Sequence, residues 1–119
     1  MTDQKRRCFA FLYASILRPT KTYRNVYDYQ QGEYYFYRVT RKSEESIMVF
    51  DYSRSGYMGG SLPNIFDYES ASYISFQNIK PEFRCFDYER GNYLRGQMIA
   101  SVVSIYDFET GNYYRYLIS

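Results

Sequence analysis

Ile105-Tyr106-Asp107-Phe108-Glu109-Thr110-Gly111-Asn112-Tyr113-Tyr114-Arg115-Tyr116 is the clearest copy of a phrase that this 119-residue chain writes five times. The phrase is an aromatic, an aspartate, a second aromatic and, six residues beyond the aspartate, a tyrosine. Its other copies are Tyr27-Asp28-Tyr29 with Tyr34, Phe50-Asp51-Tyr52 with Tyr57, Phe66-Asp67-Tyr68 with Tyr73, and Phe86-Asp87-Tyr88 with Tyr93. The aspartates stand 23, 16, 20 and 20 residues apart. That spacing fits two short strands with a tight turn and is too short for a repeated helical pair.

The slots of the unit have separate tasks. Two residues before the aspartate stand Val26, Val49, Ile65, Cys85 and Ile105, compact apolar groups suited to a strand. Four residues after it come Gly32, Ser55, Ala71, Gly91 and Gly111. The three glycines suit the left-handed position that ends a three-residue hairpin loop, as in Glu89-Arg90-Gly91. Ser55 and Ala71 break that rule; Gly56 is placed to rescue the second copy, and the third is expected to hold a different or strained turn. A three-residue loop pairs Asp87 with Tyr93 and Phe86 with Leu94. Asp87, Tyr93 and Cys85 then share one face, and Phe86, Tyr88 and Leu94 form the core face.

The expected fold is all-β: five short β-hairpin repeats plus an N-terminal strand, curled into a barrel-like or flower-like pseudo-symmetric array, because closure removes the edges of so many aromatic strands. The chain reads as a single domain over 1–119, with a basic N-terminal segment (1–24) and the hairpins over 25–118. Residues 9–13 place Phe9, Phe11 and Tyr13 on one face of a first strand; a short helix bearing Phe9, Leu12, Tyr13 and Ile16 is the alternative. Thr40 to Ser46 is a polar turn that accounts for the longest gap between copies.

Histidine is absent, which removes Ser-His-Asp and Cys-His catalysis, and no phosphate loop or dinucleotide fingerprint occurs. The chain therefore reads as no enzyme, with no metal and no cofactor. Five of its six aspartates are in the repeat. A ring of carboxylates could hold calcium or act as an acid-base pair, but the same residue at the same turn in every copy favours a structural task, with Asp28, Asp51, Asp67, Asp87 and Asp107 accepting from turn amides. Gly32, Gly91 and Gly111 belong to the same structural set. Cys8 and Cys85 read as small buried hydrophobes, with their pairing left open.

Aromatics supply 22% of the chain, with Tyr 17 and Phe 9. A phenol buries a large ring while its hydroxyl needs a partner, so regular tyrosines point to a surface that something covers. Tyr34, Tyr57, Tyr73, Tyr93 and Tyr113, with Arg95 and Arg115, are the candidate ligand or interface residues. The leading reading is an interaction module that self-assembles through this tyrosine-rich face, a homo-oligomer with room for a protein partner. The second is a small-molecule or carbohydrate-binding domain with an aromatic-lined cleft. The third is single-stranded nucleic-acid binding through the basic arm, where six cations in residues 1–24 face one acid while the rest of the chain is net acidic. Nucleic acid is the less favoured partner because those charges are few. No apolar run is long enough to cross a membrane as a helix, and no cleavage site follows Cys8–Leu17, so the cytoplasm is the expected location.

The phrase of residues 105–116 resembles the hairpin unit of the small four-fold beta-flower proteins, over residues 26–118. The resemblance implies hairpins radiating about a pseudo-symmetry axis, and the chain is also similar in character to bacterial integron gene-cassette proteins. Choline-binding cell-wall repeats and YD-type shell repeats are similar in unit length and in the Tyr-Asp pair respectively; neither transfers a site.

Overall fold

The computed structural model describes all residues 1–119. One helix, α1 (Asp3–Leu17), is followed by ten strands: β1 (Asn25–Asp28), β2 (Glu33–Arg41), β3 (Ser46–Asp51), β4 (Gly56–Ser61), β5 (Asn64–Asp67), β6 (Ser72–Asn78), β7 (Phe83–Asp87), β8 (Asn92–Ile99), β9 (Val102–Asp107) and β10 (Asn112–Ile118). Each strand pairs antiparallel with its sequence neighbours, and β1 closes on β10 through Val26–Ile118, Tyr27–Leu117 and Asp28–Tyr116. The result is a closed up-and-down barrel of five hairpins. Closure leaves no edge to aggregate.

The expected five-hairpin barrel is present, and three local expectations are corrected. First, the N-terminal segment is not a strand. It is a helix capped by Thr2, whose hydroxyl accepts from the Lys5 amide, and it runs through the barrel lumen with every residue from Lys5 to Ser15 buried. A helix enclosed on all sides has no polar stripe, which explains why 3.6-residue periodicity is weak here. Its apolar stretch fills the lumen: Phe9 stacks on Phe76 (5.5 Å between ring centroids) and meets Phe83 edge-on (5.3 Å), Phe11 stacks on Tyr37 (4.9 Å), and the Tyr13 hydroxyl donates to the Ile79 carbonyl at 2.6 Å. A ten-stranded barrel is wider than the eight-stranded kind that side chains alone can fill, and the helix supplies the missing volume.

Second, the hairpin loop is one residue longer than expected. Asp87 pairs with Asn92, Phe86 with Tyr93 and Cys85 with Leu94, so Tyr88 to Gly91 form a four-residue loop closed by the Gly91 amide donating to the Asp87 carbonyl at 2.8 Å. A shift of one residue sends each side chain of the return strand to the other face. The core face is therefore that of the aspartates, with Cys85, Leu94 and its equivalents Met58 and Ile74, and not that of Phe86 and Tyr88 as expected: Tyr88 is 62% exposed, and Phe86 faces outward beside Tyr93.

Third, Gly56 does not rescue the second copy, whose Ser55 takes the left-handed slot itself, and the third copy keeps the common turn in the strained form expected as one alternative. Ser55 and Ala71 each adopt φ 52°, in the slot where Gly32, Gly91 and Gly111 have 69°, 67° and 70°. Hairpin geometry overrides the preference of a side chain for negative φ, at a local cost of about 1–2 kcal/mol. Ala71→Gly is thus expected to raise unfolding stability by about 0.5–1 kcal/mol once the extra backbone entropy of glycine is subtracted. Gly91→Ala should lower it by a similar amount, since an added Cβ there meets nothing within 4 Å and only the backbone is strained. Urea denaturation of the two variants checks both signs.

Candidate functional site

Two concentric sets of repeated residues result, one inside the barrel at its turn end and one outside. The inner set is the aspartates, all at most 2% exposed. Each accepts from the amides of its own turn, for example Asp28 from Gln30 (2.9 Å) and Gln31 (3.1 Å), and Asp107 from Glu109 (2.9 Å). This is the turn-fastening task expected of them. They also form ion pairs with cations of the basic N-terminal segment. Lys5 reaches Asp87 (2.8 Å), Arg6 reaches Asp107 (2.9 Å) and Arg7 reaches Asp28 (2.9 Å). Three consecutive helical residues point about 100° apart, so one turn of α1 addresses three sides of the barrel. The remaining two aspartates share Arg54, which folds in from its turn to donate to Asp51 (2.8 Å) and Asp67 (3.0 and 3.1 Å).

The slot seven residues past the aspartate follows the same logic. It is Met58, Ile74 or Leu94 where the lumen is apolar, and tyrosine where an arginine passes. The Arg6 guanidinium lies 3.6 Å over the Tyr114 ring, and that of Arg7 lies 3.4 Å over Tyr35. Burial alone would raise the Asp107 carboxyl, but hydrogen bonds from Arg6 and the Glu109 amide outweigh it and hold the group below its ordinary value. Burial, chiefly, raises the Cys8 and Cys85 thiols, and both cysteines are free. No three carboxylate or thiol groups converge as a metal site needs. Arg6 and Arg7 are spent inside the fold with Lys5, so the basic arm offers no nucleic-acid surface at those residues.

The outer set is aromatic. In every copy the residue before the aspartate is flanked edge-on by the residue after it and by the tyrosine six beyond. Ring centroids are 4.9 to 5.2 Å apart in the Tyr27–Tyr29–Tyr34 triad and 4.8 to 4.9 Å in the Phe66–Tyr68–Tyr73 triad, with the other three alike. Edge-to-face contacts of this kind contribute roughly 0.5–1.5 kcal/mol each. They fix the rings while leaving them in water: Tyr34 is 59% exposed, Tyr73 53% and Tyr113 62%. The candidate tyrosines thus do not converge on one cleft. They form a belt around the outside of the barrel, away from the aspartates.

The belt is uneven. Arg38 lies over Phe50, Arg84 over Tyr93, and Arg95 over Tyr106 and Phe108, so the second, fourth and fifth triads carry a guanidinium. The first and third carry none. Arg115, the other candidate arginine, ties the seam between the fifth and first hairpins through its backbone, its amide donating to the Gln30 side-chain oxygen and its carbonyl accepting from the Gln30 amide group at 3.1 Å. An open groove of about 750 Å³ runs beside the third triad, lined by Phe66, Tyr68, Tyr73 and Tyr88 together with Gly59, Gly60, Ser61 and Asn64. A second, of about 680 Å³, borders Phe36, Tyr37 and Tyr52 and includes Arg24 and Arg38.

No helix is long and apolar enough to cross a membrane. Comparison with family models, with curated proteins and with solved structures returned no match.

Proposed function

We propose that the protein is a non-enzymatic interaction module that associates with a second copy of itself through the bare first sector of its aromatic belt. The observation behind this reading is the exposed first triad: Tyr29 and Tyr34 are 51% and 59% exposed, Phe36 beside them on β2 is 57% exposed, and no guanidinium covers them. Fixed aromatic side chains lose little conformational entropy on being covered, which suits the centre of an interface. The edge-to-face contacts hold the rings in place, but their outer faces remain in water as a contiguous aromatic patch, the kind of surface that marks an interaction site. The inner ion-pair ring argues against chemistry at the aspartates, since each is already engaged by turn amides or cations.

Sedimentation velocity over a concentration series tests the reading. The expected result is a dimer that dissociates on dilution, and Tyr34→Ser with Phe36→Ser should shift it to monomer while the chain still unfolds cooperatively, destabilised by about 1 kcal/mol through the lost Tyr27–Tyr34 contact. A species that stays monomeric at the highest concentration contradicts it.

A further inference from the structure

We infer that the groove beside the third triad is a binding site for a neutral carbohydrate. It lies in the hairpin opposite the seam between the first and fifth, so it stays open when the first sector is covered and does not rest on self-association.

The groove exists because the seam between the second and third hairpins opens early. β4 and β5 pair only at Met58–Asp67 and Gly59–Phe66, whereas β8 and β9 stay paired from Leu94–Asp107 to Ile99–Val102. The residues facing the leading aromatic of the next hairpin are Arg38, Gly59, Ser75, Arg95 and Leu117. Glycine at this one place leaves Phe66 without a covering side chain. The glycine is also required by the fold: a Cβ at Gly59 would come within 2.2 Å of the Ile47 carbonyl oxygen, and Gly60 has φ 148°. The opening is therefore built into the backbone.

Its walls select the ligand class. None of its lining residues is charged, in a chain where 24% of residues are. A charged ligand would find no counter-ion, and a purely apolar one would bury the Asn64 amide and Ser61 hydroxyl without partners. A pyranose has what the surface offers to match: an apolar C–H face to lie on the Tyr73 or Tyr88 ring and equatorial hydroxyls to reach Asn64 and Ser61. The volume of about 750 Å³ is that of a small-molecule site and admits two sugar rings.

The test is an NMR titration of the full chain with maltose, cellobiose, lactose and chitobiose, and with a disaccharide uronate as the charged comparison. The expected result is that at least one neutral disaccharide shifts the ring signals of Tyr73 and Tyr88, in the millimolar range typical of a shallow site. Tyr73→Ala and Asn64→Ala should each weaken that binding by about tenfold. Tyr113→Ala, the equivalent tyrosine in the fifth copy, should leave it unchanged. Because Tyr73 and Tyr113 are both exposed, all variants are expected to fold, and their unfolding midpoints are recorded alongside. No shift with any neutral disaccharide, tighter binding of the uronate, or equal losses in the Tyr73 and Tyr113 variants would overturn the inference. A chain that binds the sugar but stays monomeric at the highest concentration would overturn the self-association reading alone.

Discussion

Replacing Arg6 with alanine is expected to lower the stability of the barrel by about 3 kcal/mol, the low end of the cost of breaking a buried ion pair, because the Met1 ammonium at 3.3 Å still faces the Asp107 carboxylate. Arg6 and Asp107 are each 1% exposed, and the guanidinium donates to the carboxylate through both Nε and Nη2. Removing it also strips the covering cation from Tyr114. Arg6→Lys should lie between, because a point charge lacks the flat fork that serves both the carboxylate and the ring. The effect has a pH signature. Asp107 is held below its ordinary carboxyl value in the folded chain, so its stabilising contribution is complete above the unfolded value of about 3.9 and is lost as pH falls through the folded value. In Arg6→Ala the same carboxylate is a liability that protonation relieves. The stability gap between the two proteins should therefore narrow on acidification below about pH 4. Urea unfolding at pH 7 and pH 3 measures it.

Removal of residues 1–17 is expected to abolish cooperative folding altogether. The lumen would lose Phe9, Phe11, Leu12 and Tyr13, and Asp28, Asp87 and Asp107 would be left buried without their helix cations. A void of that size admits water, and strand pairing alone cannot hold a closed barrel open. The truncated chain should show retained β signal in the far ultraviolet, no near-ultraviolet tyrosine signal, strong dye binding and no sharp thermal transition. Adding a peptide of residues 1–17 should restore the tyrosine signal. A truncated chain that melts cooperatively near the temperature of the full chain would show that the helix is not part of the core.

The hairpin repeat was legible because its punctuation is chemical. Aspartate before the turn and a left-handed slot four residues later have few other uses, and both do in the structure what their residue types suggest. The faces were not legible, because a loop of three residues and one of four can both end on a left-handed glycine. That single residue decides whether Leu94 shares the core face with Phe86 and Tyr88, as expected, or with Cys85 and Asp87, as found. The helix was legible only as the alternative bearing Phe9, Leu12, Tyr13 and Ile16, because Phe9, Phe11 and Tyr13 alternate as a strand would and burial on every side removes the polar face that betrays a helix. One signal could have found it. Five aspartates on an inward face must meet cations, and the basic excess of residues 1–24 against the net acidity of the remainder is that complement. Arg54 was not distinguishable from Arg90, which holds the same turn position in the fourth copy but pairs outside with Glu109; only its two bonded aspartates reveal its purpose. The uneven belt depends on strand register, since Arg38 and Arg95 reach the triad of the next hairpin while Arg84 covers Tyr93 within its own.

Native-state hydrogen exchange of the α1 amides tests most directly that the N-terminal helix is the core of this barrel. Amides from Phe9 to Tyr13 are predicted to exchange only through global unfolding, with the same opening free energy as Val49 in β3 and Ile105 in β9. Exchange of those helix amides at the rates of a surface helix, while the strands stay protected, would contradict it.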